Sequence, residues 1–210
     1  LPPMISAFDM SFLMSYDVDR LLTPFVRQSG LGATTNTKSK YYKWESKHPN
    51  HANWGSPDFD LSGHIGGHYM TALALSYACC HDEALKAQIL KRIDYIIQVV
   101  KDCQDAYDQD KTGLYGFIGG QPMNANWQKL YKGDTDGFWN GAKPVPFYCQ
   151  HKILAGLRDI AIYTEDSEDF MRASIAREMF RKMCDWSINV VAKLSDDALQ
   201  RVLWTEHGGM

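Results

Sequence analysis

The sequence predicts an all-α fold, part of a toroid in which inner and outer helices alternate. Two kinds of helical stretch take turns along the chain. Residues 64–80 and the stretch from about 148 through Ile160 are apolar and nearly uncharged, whereas 83–102 and roughly 167–194 carry charges between apolar positions at helical spacing. Histidine introduces each apolar stretch: His64 and His68 before the first, His151 before the second, and His207 before the closing Gly208-Gly209. No strand-rich segment competes with this pattern. Inner helices of such a toroid face a central cavity, so their N-terminal ends would bring His64, His151 and His207 to one rim.

The elements follow in order. Residues 1–15 read as an irregular lead-in with apolar anchors at Phe8, Phe12 and Leu13. A helical turn starting at Asp17 is expected to be interrupted by Pro24. Residues 28–60 read as a long aromatic loop containing Tyr41, Tyr42, Trp44, His48, His51 and Trp54. Ser62 is the expected N-cap of the first apolar helix, with the glycines that follow keeping the preceding turn permissive. The second helix, 83–102, repeats Leu85, Ile89, Ile93, Ile96, Ile97 and Val100 on one face. Residues 103–148 read as a second loop, with Trp127, Tyr131, Phe138 and Trp139. The third helix starts near Tyr148, the fourth carries Phe170, Met179, Met183 and Trp186, and a short fifth covers about 195–203.

Composition removes several function classes. A net charge of -3 supplies no basic stripe for phosphate contacts, so no nucleic-acid partner is expected. No apolar run reaches the length of a transmembrane span. The N-terminus, Leu1-Pro2-Pro3-Met4, has neither the basic nor the apolar region of a signal peptide. Five scattered cysteines (Cys79, Cys80, Cys103, Cys149 and Cys184) form no C-x-x-C pair and read as small buried thiols. Aromatic residues make up 12% of the chain, a surplus that either fills a core or stacks on sugar rings. No phosphate-binding glycine loop, dinucleotide fingerprint or G-x-S-x-G elbow is present.

The candidate site residues gather at the helix heads and in the aromatic loops. His64 and His68 share a helix face at i,i+4, but the glutamate of an H-E-x-x-H zinc site is missing, so hydrogen bonding to a polar ligand is favoured over metal ligation. His151 stands either as a structural histidine or as a ligand-contacting one. Glu206-His207 lies beside glycines that let a ligand approach closely. Trp44-Glu45 is either a sugar platform with a hydrogen-bonding acid or a packed loop anchor.

Taken together, Asp19-Arg20-Leu21-Leu22-x-Pro24-Phe25, Trp44-Glu45, Gly63-His64-x-x-Gly67-His68-Tyr69, Pro146-x-Tyr148-x-x-His151-Lys152 and Glu206-His-Gly-Gly-Met210 resemble the N-terminal part of the catalytic domain of glycoside hydrolase family 127 and its relative family 146. The motifs run in family order across nearly the whole chain. The resemblance implies an (α/α)6 barrel of which residues 1–210 are the N-terminal portion, apparently truncated. It implies retaining removal of terminal L-arabinofuranosyl groups from plant-derived glycans, and zinc as the cofactor. In the family a zinc-bound cysteine is the nucleophile and a glutamate the general acid/base. All of these lie downstream of the Gly-Gly-Met motif, so no catalytic residue and no metal ligand is assigned within this chain.

The carried-over contribution is substrate binding by His151, His207, Glu206, His64, Trp44 and Glu45. The expected partners are an L-arabinofuranose-containing glycan and the missing C-terminal half of the same enzyme, without which the chain is expected to be inactive. The substrate points to an extracytoplasmic location. The alternative is a non-catalytic carbohydrate-binding α/α module or inactive fragment, and a helical protein-contact scaffold ranks last.

Overall fold

The structure is a computed structural model that describes residues 7–51, 61–108, 113–138, 145–166, 170–204 and 206–207. Regular structure among them is entirely helical: α1 (Ala7–Ser15), α2 (Val18–Gln28), α3 (Trp44–Lys47), α4 (His64–Cys79), α5 (Glu83–Asp108), α6 (Asn124–Tyr131), α7 (Pro146–Tyr163), α8 (Met171–Val191) and α9 (Asp196–Leu203). No described helix is long and apolar enough to cross a membrane.

Two layers emerge from the packing. The apolar helices α4 and α7 lie against each other in the most extensive interface among the described elements. The charged helices α5 and α8 back them, α5 against α4 and α8 against α7, and also touch each other. This is the inner and outer alternation expected from the residue pattern. The inner helices still keep one open face, since His68, Leu75 and Ala78 of α4 and His151, Arg158 and Ile162 of α7 are exposed. A dense aromatic cluster fills the far side of the core. Trp127 is fully buried, with the rings of Phe138, Phe147 and Trp186 at 4.8, 5.0 and 5.0 Å. Among the described residues neither the Trp127 nor the Trp186 indole N–H finds a partner, so shape and area hold this cluster there rather than hydrogen bonds.

Glycine sets how closely α4 and α7 approach. A Cβ on Gly67 would overlap the carbonyl carbon and oxygen of Lys152, and one on Gly156 would lie 2.7 Å from the Gly67 oxygen and from Met70 Cβ. A helical glycine costs about 1 kcal/mol relative to alanine. That cost is offset because the bare backbones let Met70, Leu73, Ile153, Leu157 and Ile160 interdigitate, each 0 or 1% exposed. One polar contact fixes the register: Thr71 Oγ1 donates to Asp159 Oδ2 at 2.8 Å. The glycines of this stretch therefore serve a helix crossing, not only a permissive turn.

Several local expectations are corrected. The lead-in is helical from Ala7 onward, anchored where Tyr69 OH donates to the Leu13 carbonyl at 2.9 Å. Phe8 lies outside the described side chains, and Trp54 and Trp139 outside the described residues. Pro24 does not break α2. Interior proline costs about 3 kcal/mol or more, but Leu21, Leu22, Phe25 and Val26 are at most 5% exposed, and burying each contributes roughly 1.5–3 kcal/mol. Helix α5 runs six residues past the predicted end at 102, to Asp108. The core face continues there through Cys103, Gln104 and Tyr107, and polar Gln104 interrupts the apolar period. Its Nε2 donates to the carbonyls of Gly116 (2.8 Å) and Met179 (3.1 Å). Helix α6 lies inside the predicted second loop, held by fully buried Trp127 and Leu130.

Replacing Gly67 with alanine is expected to destabilise the fold by about 1–3 kcal/mol or more, because the new methyl meets backbone that cannot yield. A denaturant melt with unchanged slope and lowered midpoint would support this. An unchanged midpoint would show that α4 and α7 separate at little cost.

Candidate sugar-binding site

The head of α4 is built without a side-chain cap. Gly63, in the left-handed region at φ +98°, is the N-cap, and Ser62 sits one residue earlier. The expected Ser62 cap is thus corrected: its hydroxyl instead accepts from Arg27 Nη2 at 3.4 Å and from Asn50 Nδ2 at 3.5 Å. Glycine is needed at 63 for the positive φ and because Gly120 passes close by: a Cβ there would lie 3.1 Å from Gly120 Cα. The turn delivers His64 into the first helical turn, 5% exposed.

The head of α7 is capped from a distance. Val145 provides no side-chain cap and Pro146 occupies the first turn. Glu206, 58 residues on, places Oε2 2.8 Å from the Tyr148 amide nitrogen, and the Phe147 amide also donates to it. Glu206 is 4% exposed, and burial pushes its carboxyl up to about 7 against the pull of those two amides. Two orphan donors of the helix and the positive end of its dipole are thereby met by one carboxylate.

Because α4 and α7 touch at their glycines, the two heads meet. The His64 ring lies 5.9 Å from both the His68 and the Tyr148 rings. His68 Nε2 is 3.5 Å from Tyr148 OH. Lys152 extends its ammonium over the Tyr148 ring, 4.7 Å from the centroid. Burial lowers the imidazole of His64, with smaller contributions from His68 and Lys152; burial, Lys152 and His151 lower that of His68. Both rings are thus biased toward the neutral form, which can donate through one nitrogen and accept through the other. Imidazoles, a phenol and an ammonium on an open helix face suit a ligand dense in hydroxyl groups.

The predicted residues are placed unevenly. His64 and the exposed His151 lie on the meeting heads, and Glu206 holds one head in place. His207 is exposed on the turn after α9, and Gly208–Met210 lie outside the described residues. Trp44 is 9% exposed, with its indole N–H directed inward to Thr23 Oγ1 (3.1 Å) and the Asp19 carbonyl (3.2 Å). Glu45 accepts from Arg27 Nη1 at 3.0 Å. Tyr148 and Lys152 were not singled out as site residues from sequence, although their spacing from His151 put them on the same helix head.

A family model described as the β-L-arabinofuranosidase, GH127 catalytic domain, matches residues 7–210. The chain belongs to that family. It is accordingly a glycoside hydrolase domain of the β-L-arabinofuranosidase type, and the histidine-rich face lies within the matched catalytic region. A comparison with curated proteins gives no match.

Zinc bound by glutamate and cysteines, as the family implies, does not fit the described residues. The one group of three close metal-type side chains among them is Asp17, Asp19 and His48. Asp17 already caps α2, and Asp19 accepts from Tyr95 OH at 2.5 Å. Cys103 is buried, its thiol pushed up to about 12 by that burial, and Cys149 Sγ faces the Leu61 carbonyl at 3.8 Å.

The Glu206 carboxyl makes a pH prediction. Its folded value, about 7, is above its ordinary 4.5, so between those values the folded state holds more protons than the unfolded state. Stability tied to this group is fully present below about pH 4.5 and is lost as pH rises through 7. The loss is on the order of 3 kcal/mol. The stability difference between E206Q and wild type, from denaturant melts at pH 5 and pH 8, should shift toward the variant at the higher pH. A constant difference would place Glu206 in a more polar setting.

Proposed function

We propose that this domain binds the terminal L-arabinofuranosyl group of a plant-derived glycan at the meeting heads of α4 and α7, for hydrolysis with retention of configuration. The observation that supports this most directly is the gathering of His68, Tyr148 and Lys152 over buried His64, with exposed His151 one helical turn beyond Tyr148 on α7. Polar and titratable groups gathered this way on inner helices hold a sugar by its hydroxyls. Neutral imidazoles match hydroxyl groups as donor and acceptor together. The exposed rings of His68 and His151 are the direct sugar contacts in this reading. Buried His64 and capping Glu206 hold those contacts in place. In the family, zinc activates the nucleophile, and that chemistry belongs to residues outside the described set.

Hydrolysis of an aryl β-L-arabinofuranoside by the whole protein, with zinc supplied, tests the reading. His151→Ala is expected to lower kcat/KM by about 10- to 100-fold, as loss of one or two hydrogen bonds to substrate requires. The far-ultraviolet dichroism should stay unchanged, since the side chain is exposed. An unaltered rate would move the sugar site off this face. Sugar binding by the wild type without hydrolysis would favour the non-catalytic carbohydrate-binding module.

A further inference from the structure

A cavity of about 280 Å³ lies between α7 and α8. Phe147 and Leu154 of α7 and Ile188 and Val191 of α8 form its sides. Gln150, His151 and Ser187 are its polar groups, and its described walls carry no carboxylate, ammonium or guanidinium. The Ser187 hydroxyl is already committed, donating to the Met183 carbonyl at 2.9 Å. Apolar cavities of roughly 150 Å³ admit a benzene ring, so this one has room for a ring with a small substituent.

Gln150 supplies an independent observation. It is 3% exposed, and its Oε1 is buried without a partner among the described residues. Buried amides are ordinarily paired, because an unmet carbonyl is destabilising. Gln104, just as buried on α5, directs its amide to two backbone carbonyls. Gln150 instead lines the cavity, where its acceptor is offered to a ligand. One hydrogen-bond donor on that ligand satisfies it.

The class of ligand follows by elimination. A charged ligand would find no fixed counter-charge on the described walls. A sugar would leave most of its hydroxyls unmatched against Phe147, Leu154, Ile188 and Val191. A purely apolar ring would leave Gln150 unpaired. An uncharged ring with a single hydroxyl meets both demands: its carbon lies on the apolar sides, edge or face to Phe147, and its O–H reaches the amide. Such a ring would also cover Ile188, which is 64% exposed at the lip of the cavity.

We propose that the α7–α8 cavity is a binding site for an uncharged aromatic alcohol, a phenol-type ring whose hydroxyl donates to Gln150 Oε1 while its carbon meets Phe147, Leu154, Ile188 and Val191. The site stands apart from the carbohydrate reading. The exposed His151 ring is at its rim and registers its occupancy.

Calorimetric titration of the whole protein with two probes tests the site. One is 4-methylphenol, and the other 4-methylanisole, which keeps the ring and the oxygen but has no hydrogen to donate. The wild type is expected to bind 4-methylphenol at least ten-fold tighter than 4-methylanisole, and to show a shifted His151 ring-proton resonance when 4-methylphenol is bound. Q150L is expected to erase the preference while melting at the same or a higher temperature, because leucine removes the unpaired carbonyl. I188S changes an exposed position, so it is expected to keep its fold and to weaken both probes several-fold. A preference that survives in Q150L, or affinities unmoved by I188S, would place the ring elsewhere and overturn the site. A wild type that binds neither probe would also overturn it, and would leave the α7–α8 cavity as a seat for protein.

Discussion

The contact between α4 and α7 at Gly67 and Gly156 is the constraint on which the rest of the structure depends. Two glycines remove the side chains that would hold these helices apart, so the Lys152 carbonyl approaches the Gly67 Cα directly. Close-packed interiors are sensitive to single methyl groups, and here the sensitive point is backbone against backbone. The half-buried Thr71–Asp159 hydrogen bond then resists one helix sliding along the other. Outer helices α5 and α8 cover what this pair leaves apolar on its far side.

The same contact builds the histidine face. Gly67 belongs to the turn that carries His64 and His68, and its neighbour across the interface, Lys152, follows His151. Helix crossing and the placing of the histidines are thus encoded by adjacent residues, and neither could be moved without the other. Both helix heads also lack a side-chain cap of their own. Gly63 serves at α4 by its φ, which frees Ser62 to meet Arg27. Glu206 serves at α7 from a distant turn, burying a carboxylate beside the histidine face. The capping requirement places charged and polar groups around the two helix heads.

Much of this was legible before the structure. The apolar rods at 64–80 and from about 148, and the charged period of 83–102, are local repeats that any helix must display to bury one face. The motif order across the chain pointed to the family that the full-length match shows. The errors have local reasons as well. Helix α6 was hidden because NANWQKLY is short and mostly polar, and Trp127 and Leu130 fix it only by reaching the core. Pro24 signalled a break that four buried neighbours override. Gln104 looked like the end of a helix because a polar side chain can sit on a core face once two carbonyls receive its amide.

The sequence by itself determined that this protein is a layered set of helices whose inner members carry histidine near their N-terminal ends. Apolar period, histidine position and glycine content are properties of neighbouring residues and need no partner to be read. The tertiary structure alone decided that His64 and His68 meet Tyr148, that Glu206 caps α7, that Trp44 turns its indole inward, and that Arg27 links Glu45 to the turn before His64. These contacts join residues 18 to 58 positions apart, or helix heads on separate elements. They form only when burial of the α4–α7 interface has fixed the distance between those elements, and a local pattern carries no record of that distance.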